Sequence, residues 1–336
     1  MVSKYFASGQ TILETVLVDS PTVHGSKNYI AACKFYLLFN MKTFFTILCW
    51  IFLLLSVSSL TAAETIIVKT KAPHNREAVF RYRVPKGYDK ARREMYRILV
   101  VFGGRNTDGK KDASGRMGWG EWCDAHDIFL VAPGFKDDNY WDPKDWSGEA
   151  LQKALIQLKK EYNVCTDKLL FYGYSAGSQA SNLFPAWKPT MCRAWVSHAC
   201  GVFHEPSSRM RSIPGLVTCG DADKARYVIS RDFVEKSRRL GINIVWRSFP
   251  NLAHDVTDDS QKLARAFLLY YHLENKDDLI PGKAQKTRTS PVKFIGDDQE
   301  AVYYPVDSAK AKNVLPEDRV EFPDQSIAEA WGKPDK

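Results

Sequence analysis

Eight short, mostly apolar runs follow one another along the middle of the chain, and helical stretches separate the later ones: Ile66–Thr70, Val79–Val84, Ile98–Phe102, Ile128–Ala132, Leu169–Tyr172, Ala194–Ser197, Gly215–Cys219 and Ile242–Ser248. Runs of four to seven residues without clean polar alternation are what parallel strands buried on both faces require. Between them, Glu149–Tyr162 keeps Ala150, Leu151, Ala154, Leu155 and Leu158 at helical spacing. Ala225–Leu240 and Ser260–Leu273 read as two further helices. Strands alternating with helices predict an α/β fold with a mostly parallel central sheet and helices on both faces. The 336 residues are 45% hydrophobic and 26% charged, which fits such a domain and excludes collagen-like, coiled-coil and wholly disordered chains.

The formal net charge is +8, but no block of like charges appears, and no zinc-finger, RRM or KH pattern accompanies the basic residues. Nucleic acid is therefore not expected as a partner. Near the amino end, Met41-Lys42 precedes an apolar run, Phe44–Leu55, and a small-residue exit that ends at Ala63. This is the plan of a secretory signal peptide, and the run is shorter than the ~20 apolar residues of a membrane span. The expected organisation is an extension from a start called too early (1–40), a signal peptide (41–63), a catalytic domain (64–275) and a C-terminal extension (276–336). The exported product is expected to be secreted or periplasmic, with no stable membrane anchor once the signal is cleaved. Six of the 16 prolines fall in the last 61 residues, which read as an extended tail laid over the domain and ending in a short helix.

The strand Leu169–Tyr172 runs directly into Gly173-Tyr174-Ser175-Ala176-Gly177, and a helical stretch follows from Ser178. The five letters alone are weak, but strand before and helix after make them a nucleophile elbow, a turn so tight that glycines must flank the serine. The helix starting there offers free amides to developing negative charge. A serine needs a base and an orienting acid. Downstream, Leu216–Asp223 is a strand followed by an acidic turn, and Phe249–His254 is a loop ending in a histidine just before a helix. Both lie at carboxyl ends of strands, where sites of open α/β sheets gather.

On these residues, 78–275 resembles an α/β-hydrolase, specifically the secreted esterase branch that includes polyhydroxybutyrate depolymerases and feruloyl esterases. The resemblance implies Ser175 as nucleophile, His254 as general base and then acid, and Asp223, closing a Gly220–Asp223 turn, as the residue holding the imidazole; Asp221 is the alternative acid. His198 and His204 precede the acid in the chain and read as strand-end or loop histidines. The oxyanion hole is expected at the amides of Ala176 and of Gly104 or Arg105, where this chain has Gly-Gly in place of the family's frequent His-Gly. Arg105 and Tyr174 are expected to line the substrate. Trp141 and Trp146, in a loop past a strand end, are candidates for an aromatic rim facing an aromatic, sugar-linked or polyester substrate, or else anchors of that loop in the core. The expected substrate is a small or polymeric ester.

No metal or organic cofactor is expected: there is no CxxC, no zinc spacing and no EF-hand spacing among the aspartates of that loop. Of the five cysteines beyond the signal segment, the strand order makes bridges 165–192 and 200–219 geometrically plausible and disfavours 192–200. Two rival readings are a serine peptidase of the same fold and a catalytically silent binding module on a hydrolase scaffold.

Overall fold

The computed structural model describes residues 63–71, 73–136, 139–283 and 290–335. The extension and all but the last residue of the signal segment lie outside these, as do Asp137 and Asp138 of the aspartate-rich loop.

Eight strands form the central sheet: β1 (Glu64–Lys69), β2 (Glu77–Arg83), β3 (Tyr96–Phe102), β4 (Ile128–Pro133), β5 (Val164–Tyr174), β6 (Cys192–His198), β7 (Gly215–Gly220) and β8 (Ile244–Phe249). Their order is β1-β2-β4-β3-β5-β6-β7-β8. The pairs β1–β2 and β2–β4 are antiparallel, and every later pair is parallel. The parallel core has the composition its burial demands. In β3, Ile98, Val100 and Phe102 enter the apolar cluster on one face while Leu99 and Val101 enter the other, and none of the five is more than 2% exposed.

Five helices cover the two faces: α1 (Trp119–Ala125), α2 (Gly148–Glu161), α3 (Ala176–Trp187), α4 (Lys224–Arg239) and α5 (Asp258–Glu274). Leu151, Leu155 and Leu158 of α2, Phe184 of α3 and Phe233 of α4 fill the first cluster, whereas Trp119 of α1 and Leu263, Phe267 and Leu268 of α5 fill the second. α5 opens with a reciprocal cap in which Thr257 and Ser260 each accept from the other's backbone N–H.

The C-terminal residues differ from an extended tail. Strands β9 (Phe294–Asp297), β10 (Val302–Pro305), β11 (Arg319–Phe322) and β12 (Lys333–Pro334) pair in the order β11-β9-β10-β12, and helix α6 (Gln325–Trp331) lies between the last two. Strands of two to four residues interrupted by proline carry too little periodicity to be read from sequence. The small sheet is pinned near β8: Trp331 Nε1 donates to Trp246 O at 2.6 Å, while Asp298 accepts from Trp246 Nε1 at 3.0 Å and from Arg231.

The two expected disulfides are absent. All five cysteines of the described residues are free and buried. Cys165 Sγ lies 3.9 Å from Asp278 O and Cys200 Sγ 3.0 Å from Val202 O, so each thiol is occupied by a carbonyl and not by a second sulfur. Burial raises the pKa of Cys123, Cys192, Cys200 and Cys219, which disfavours the reactive thiolate.

Candidate active site

The carboxyl ends of β5, β7 and β8 carry the three residues that the sequence singles out. Ser175 follows β5 with φ 56° and ψ −123°, a conformation L-residues rarely adopt. Its neighbours explain how it is held. A Cβ on Gly173 would collide with the carbonyl of Gly177, and one on Gly177 would collide with the carbonyls of Phe102 and Gly103. Strand β3, strand β5 and helix α3 thus meet at van der Waals distance, and only glycine permits it.

His254 sits in the loop after β8, half-buried between two partners. Its Nε2 lies 2.8 Å from Ser175 Oγ and its Nδ1 lies 2.7 Å from Asp223 Oδ2. Because a carboxylate can only accept, Nδ1 carries the proton and Nε2 faces the serine hydroxyl as acceptor. Asp223 ends the turn after β7 and is 9% exposed. Asp221 is engaged elsewhere: its Oδ1 accepts the Asn251 N–H at 2.7 Å, which ties the acidic turn to the histidine loop.

Ala176 is the first residue of α3, so its amide has no acceptor within the helix. Gly104 passes beside the nucleophile, with a Cβ direction ending 4.0 Å from Ser175 Cβ and 3.9 Å from the Tyr174 ring. Arg105 is exposed on the same loop, and its charge is felt by the buried Tyr140 phenol, whose pKa burial nevertheless raises to about 12. The Tyr174 ring lies nearly parallel to that of His254 at 5.3 Å, and its hydroxyl donates to His254 O at 3.0 Å. Tyr174 therefore steadies the histidine as well as bordering the site.

The two tryptophans separate. Trp146 is 3% exposed and packs edge-on against Phe135 at 5.0 Å, so it belongs to the core and not to a rim. Trp141 is half-buried against Tyr140 at 5.4 Å. A cavity of about 540 Å³ opens instead beside Tyr174 and Asp255, with Arg116, Met117, Thr257 and Arg265 in its wall. No group of three or more metal-ligating side chains occurs among the described residues.

Two contributors escaped the sequence reading. Arg226, on the first turn of α4, donates to the second oxygen of Asp223 at 3.1 Å. His198, at the end of β6, touches both the strand that leads to Asp223 and the loop that carries His254. Arg226 has no local signal beyond standing three residues after an acid. His198 had one, its place at the carboxyl end of a strand.

No family model and no curated protein matches the chain. Among solved structures it is similar to a poly(3-hydroxybutyrate) depolymerase from Bordetella parapertussis, with 17% identity over 62% of this chain and 90% of that one and a TM-score of 0.52. It is also similar to a thermostable esterase (21% identity, 57% of this chain, TM-score 0.49) and to a ferulic acid esterase (16%, 62% of this chain and 94% of that one, TM-score 0.49). The match spans 56% of the thermostable esterase. The eight-stranded sheet, its strand order and the flanking helices are those of the α/β-hydrolase fold, and residues 64–274 adopt it.

Proposed function

We propose that this chain is an exported serine hydrolase that cleaves carboxylic esters through an acyl-enzyme. The observation that carries the reading is the unbroken relay from Ser175 Oγ through the imidazole of His254 to Asp223 Oδ2, at 2.8 and 2.7 Å. Ser175 Oγ attacks the ester carbonyl as His254 Nε2 takes its proton. The resulting imidazolium is stabilised by Asp223, which stays ionised. The Ala176 amide, with that of Gly104 or Arg105, faces the developing oxyanion, and one such donor is typically worth about 2.7–4 kcal/mol. Collapse expels the alcohol, which receives the proton from His254. Water then enters by the same route, with His254 as base, and releases the acid and free Ser175.

The choice of ester over amide rests on the resemblance of residues 78–275 to the secreted esterases, and the name of the depolymerase with the same fold is in keeping with it. Export rests on the segment 41–63.

The test is covalent labelling of residues 64–336 with a fluorophosphonate, beside Ser175→Ala and His254→Ala, followed by a panel of short-chain aryl esters. Labelling that is lost in both variants, with ester turnover in the wild type, is the expected result. A folded wild type that takes no label would favour a silent binding module. Labelling that survives in Ser175→Ala would mean a different nucleophile.

A further inference from the structure

One buried residue outside the Ser175–His254–Asp223 arrangement bonds the backbone of Ser175, the strand that leads to Asp223 and the loop that carries His254. We infer that His198 is a positioning residue that locks the nucleophile turn, the acid strand and the histidine loop into one rigid frame. This rests on the serine-hydrolase reading given above.

Three bonds carry the inference. The His198 carbonyl accepts the Ser175 N–H at 3.0 Å, which fixes the backbone of the elbow. On the ring, Nδ1 lies 2.7 Å from Thr218 Oγ1, in the strand that runs into the acidic turn. The other nitrogen, Nε2, lies 2.7 Å from Asp255 O, one residue beyond His254. A carbonyl can only accept, so Nε2 carries the proton and Nδ1 accepts from the threonine hydroxyl. One tautomer satisfies both partners, and the ring cannot turn over without losing both bonds.

The surroundings favour that single state. His198 is 1% exposed and Thr218 likewise. Burial is the main reason that the His198 pKa falls to about 4, and the neighbouring His254 lowers it further, so the ring stays neutral over the working range of a serine hydrolase. The next residue, Ala199, is held at φ 53° and donates its N–H to Thr218 O at 2.9 Å. A strained non-glycine residue immediately after the ring shows how tightly this strand end is fixed. Tyr174 completes the frame, since its hydroxyl donates to His254 O. The histidine loop is thus held at two successive carbonyls, 254 by Tyr174 and 255 by His198.

The two ring nitrogens can be removed separately. His198→Gln can still present an N–H toward Asp255 O, whereas His198→Asn reaches only the Thr218 side. Thr218→Val removes the hydroxyl with little change of shape and leaves His198 itself in place. Fluorophosphonate labelling rates and ester kinetics read the chemistry. The downfield proton resonance of His254 Nδ1–H reads the His254–Asp223 geometry without any turnover. His198→Asn is expected to lose that resonance and to fall roughly 100-fold in kcat and in labelling rate, with KM little changed, as a displacement of order 1 Å would cause. His198→Gln is expected to retain the resonance and to stay within roughly tenfold of wild type, and Thr218→Val is expected to fall between them.

The inference is overturned if His198→Asn, or Thr218→Val should the asparagine variant not fold, keeps the resonance and the wild-type labelling rate. It is equally overturned if His198→Gln and His198→Asn lose activity alike. A wild type that shows the resonance, loses it in His198→Asn and yet never labels would uphold the frame and refute the hydrolase reading.

Discussion

At the residue scale, the two aspartates of the acidic turn have different jobs although they stand two positions apart. Asp223 faces His254, and Asp221 faces the Asn251 N–H. Asp223→Asn should leave the fold intact and lower kcat by about 10⁴-fold, because the amide favours the wrong imidazole tautomer. Asp221→Ala should leave kcat within a few-fold and cost about 1–2 kcal/mol of stability, read by urea denaturation, because one charge-assisted bond between two loops is lost. Equal losses of kcat in both variants would contradict this division. Sequence alone left the pair open, since which carboxylate reaches the imidazole depends on how the 249–254 loop folds back over the turn. That contact joins residues about 30 positions apart, and the Gly220–Asp223 turn points to Asp223 only through the family resemblance.

At the element scale, α6 and the small sheet β9–β12 act as a fastener near β8. Trp331 is 2% exposed, packs at a tilt against Phe322 at 5.1 Å, lies under the guanidinium of Arg247 at 5.0 Å and bonds the Trp246 carbonyl. Trp331→Ala should lower the unfolding free energy by about 3–5 kcal/mol. Fluorophosphonate labelling at 20 °C should be unchanged, since the partners of Trp331, which are Trp246, Arg247 and Phe322, are not members of the proposed relay. Urea titration followed by circular dichroism measures the first quantity, and a loss below about 1 kcal/mol would mean that the extension is not part of the cooperative unit. The strands of the α/β core are legible in sequence because short, unbroken apolar runs mark them, and the helix Gly148–Glu161 announces itself by its periodicity. α1 was not legible: its seven residues follow two left-handed glycines and the strained Met117, a local geometry that tertiary packing imposes. Of the two readings open for the loop tryptophans, Trp146 takes the core anchor, and the sequence cannot tell a tryptophan turned outward from one turned into the core.

At the scale of the whole molecule, acid should unfold the protein steeply. Burial lowers the pKa of His198 to about 4, of His204 to about 4 and of His272 to about 3, and it lowers His126 in the same direction. The unfolded chain binds protons at these sites near the ordinary histidine value of about 6.5, whereas the folded chain does not. Stability is therefore fully present above about pH 6.5 and is lost as the pH falls toward 4. With three protons taken up, the slope approaches about 4 kcal/mol per pH unit. Urea midpoints at pH 7, 6 and 5 test this, and a midpoint that stays flat over the range would refute it. The charged network of Arg97, Asp278 and Arg193 lies at the opposite end of the sheet from Ser175 and fastens β3 and β6 to the turn after α5.

The positive φ angles of Ser175, Ala199 and Asn251 gather at one rim of the sheet. Each such angle on a non-glycine residue costs of order 1–3 kcal/mol. Glycine relieves that cost, so some of the easiest gains in heat resistance open to this chain lie in these few positions, the proposed nucleophile Ser175 among them. A population bred only to survive heating would discover them early and arrive at sturdier, silent descendants.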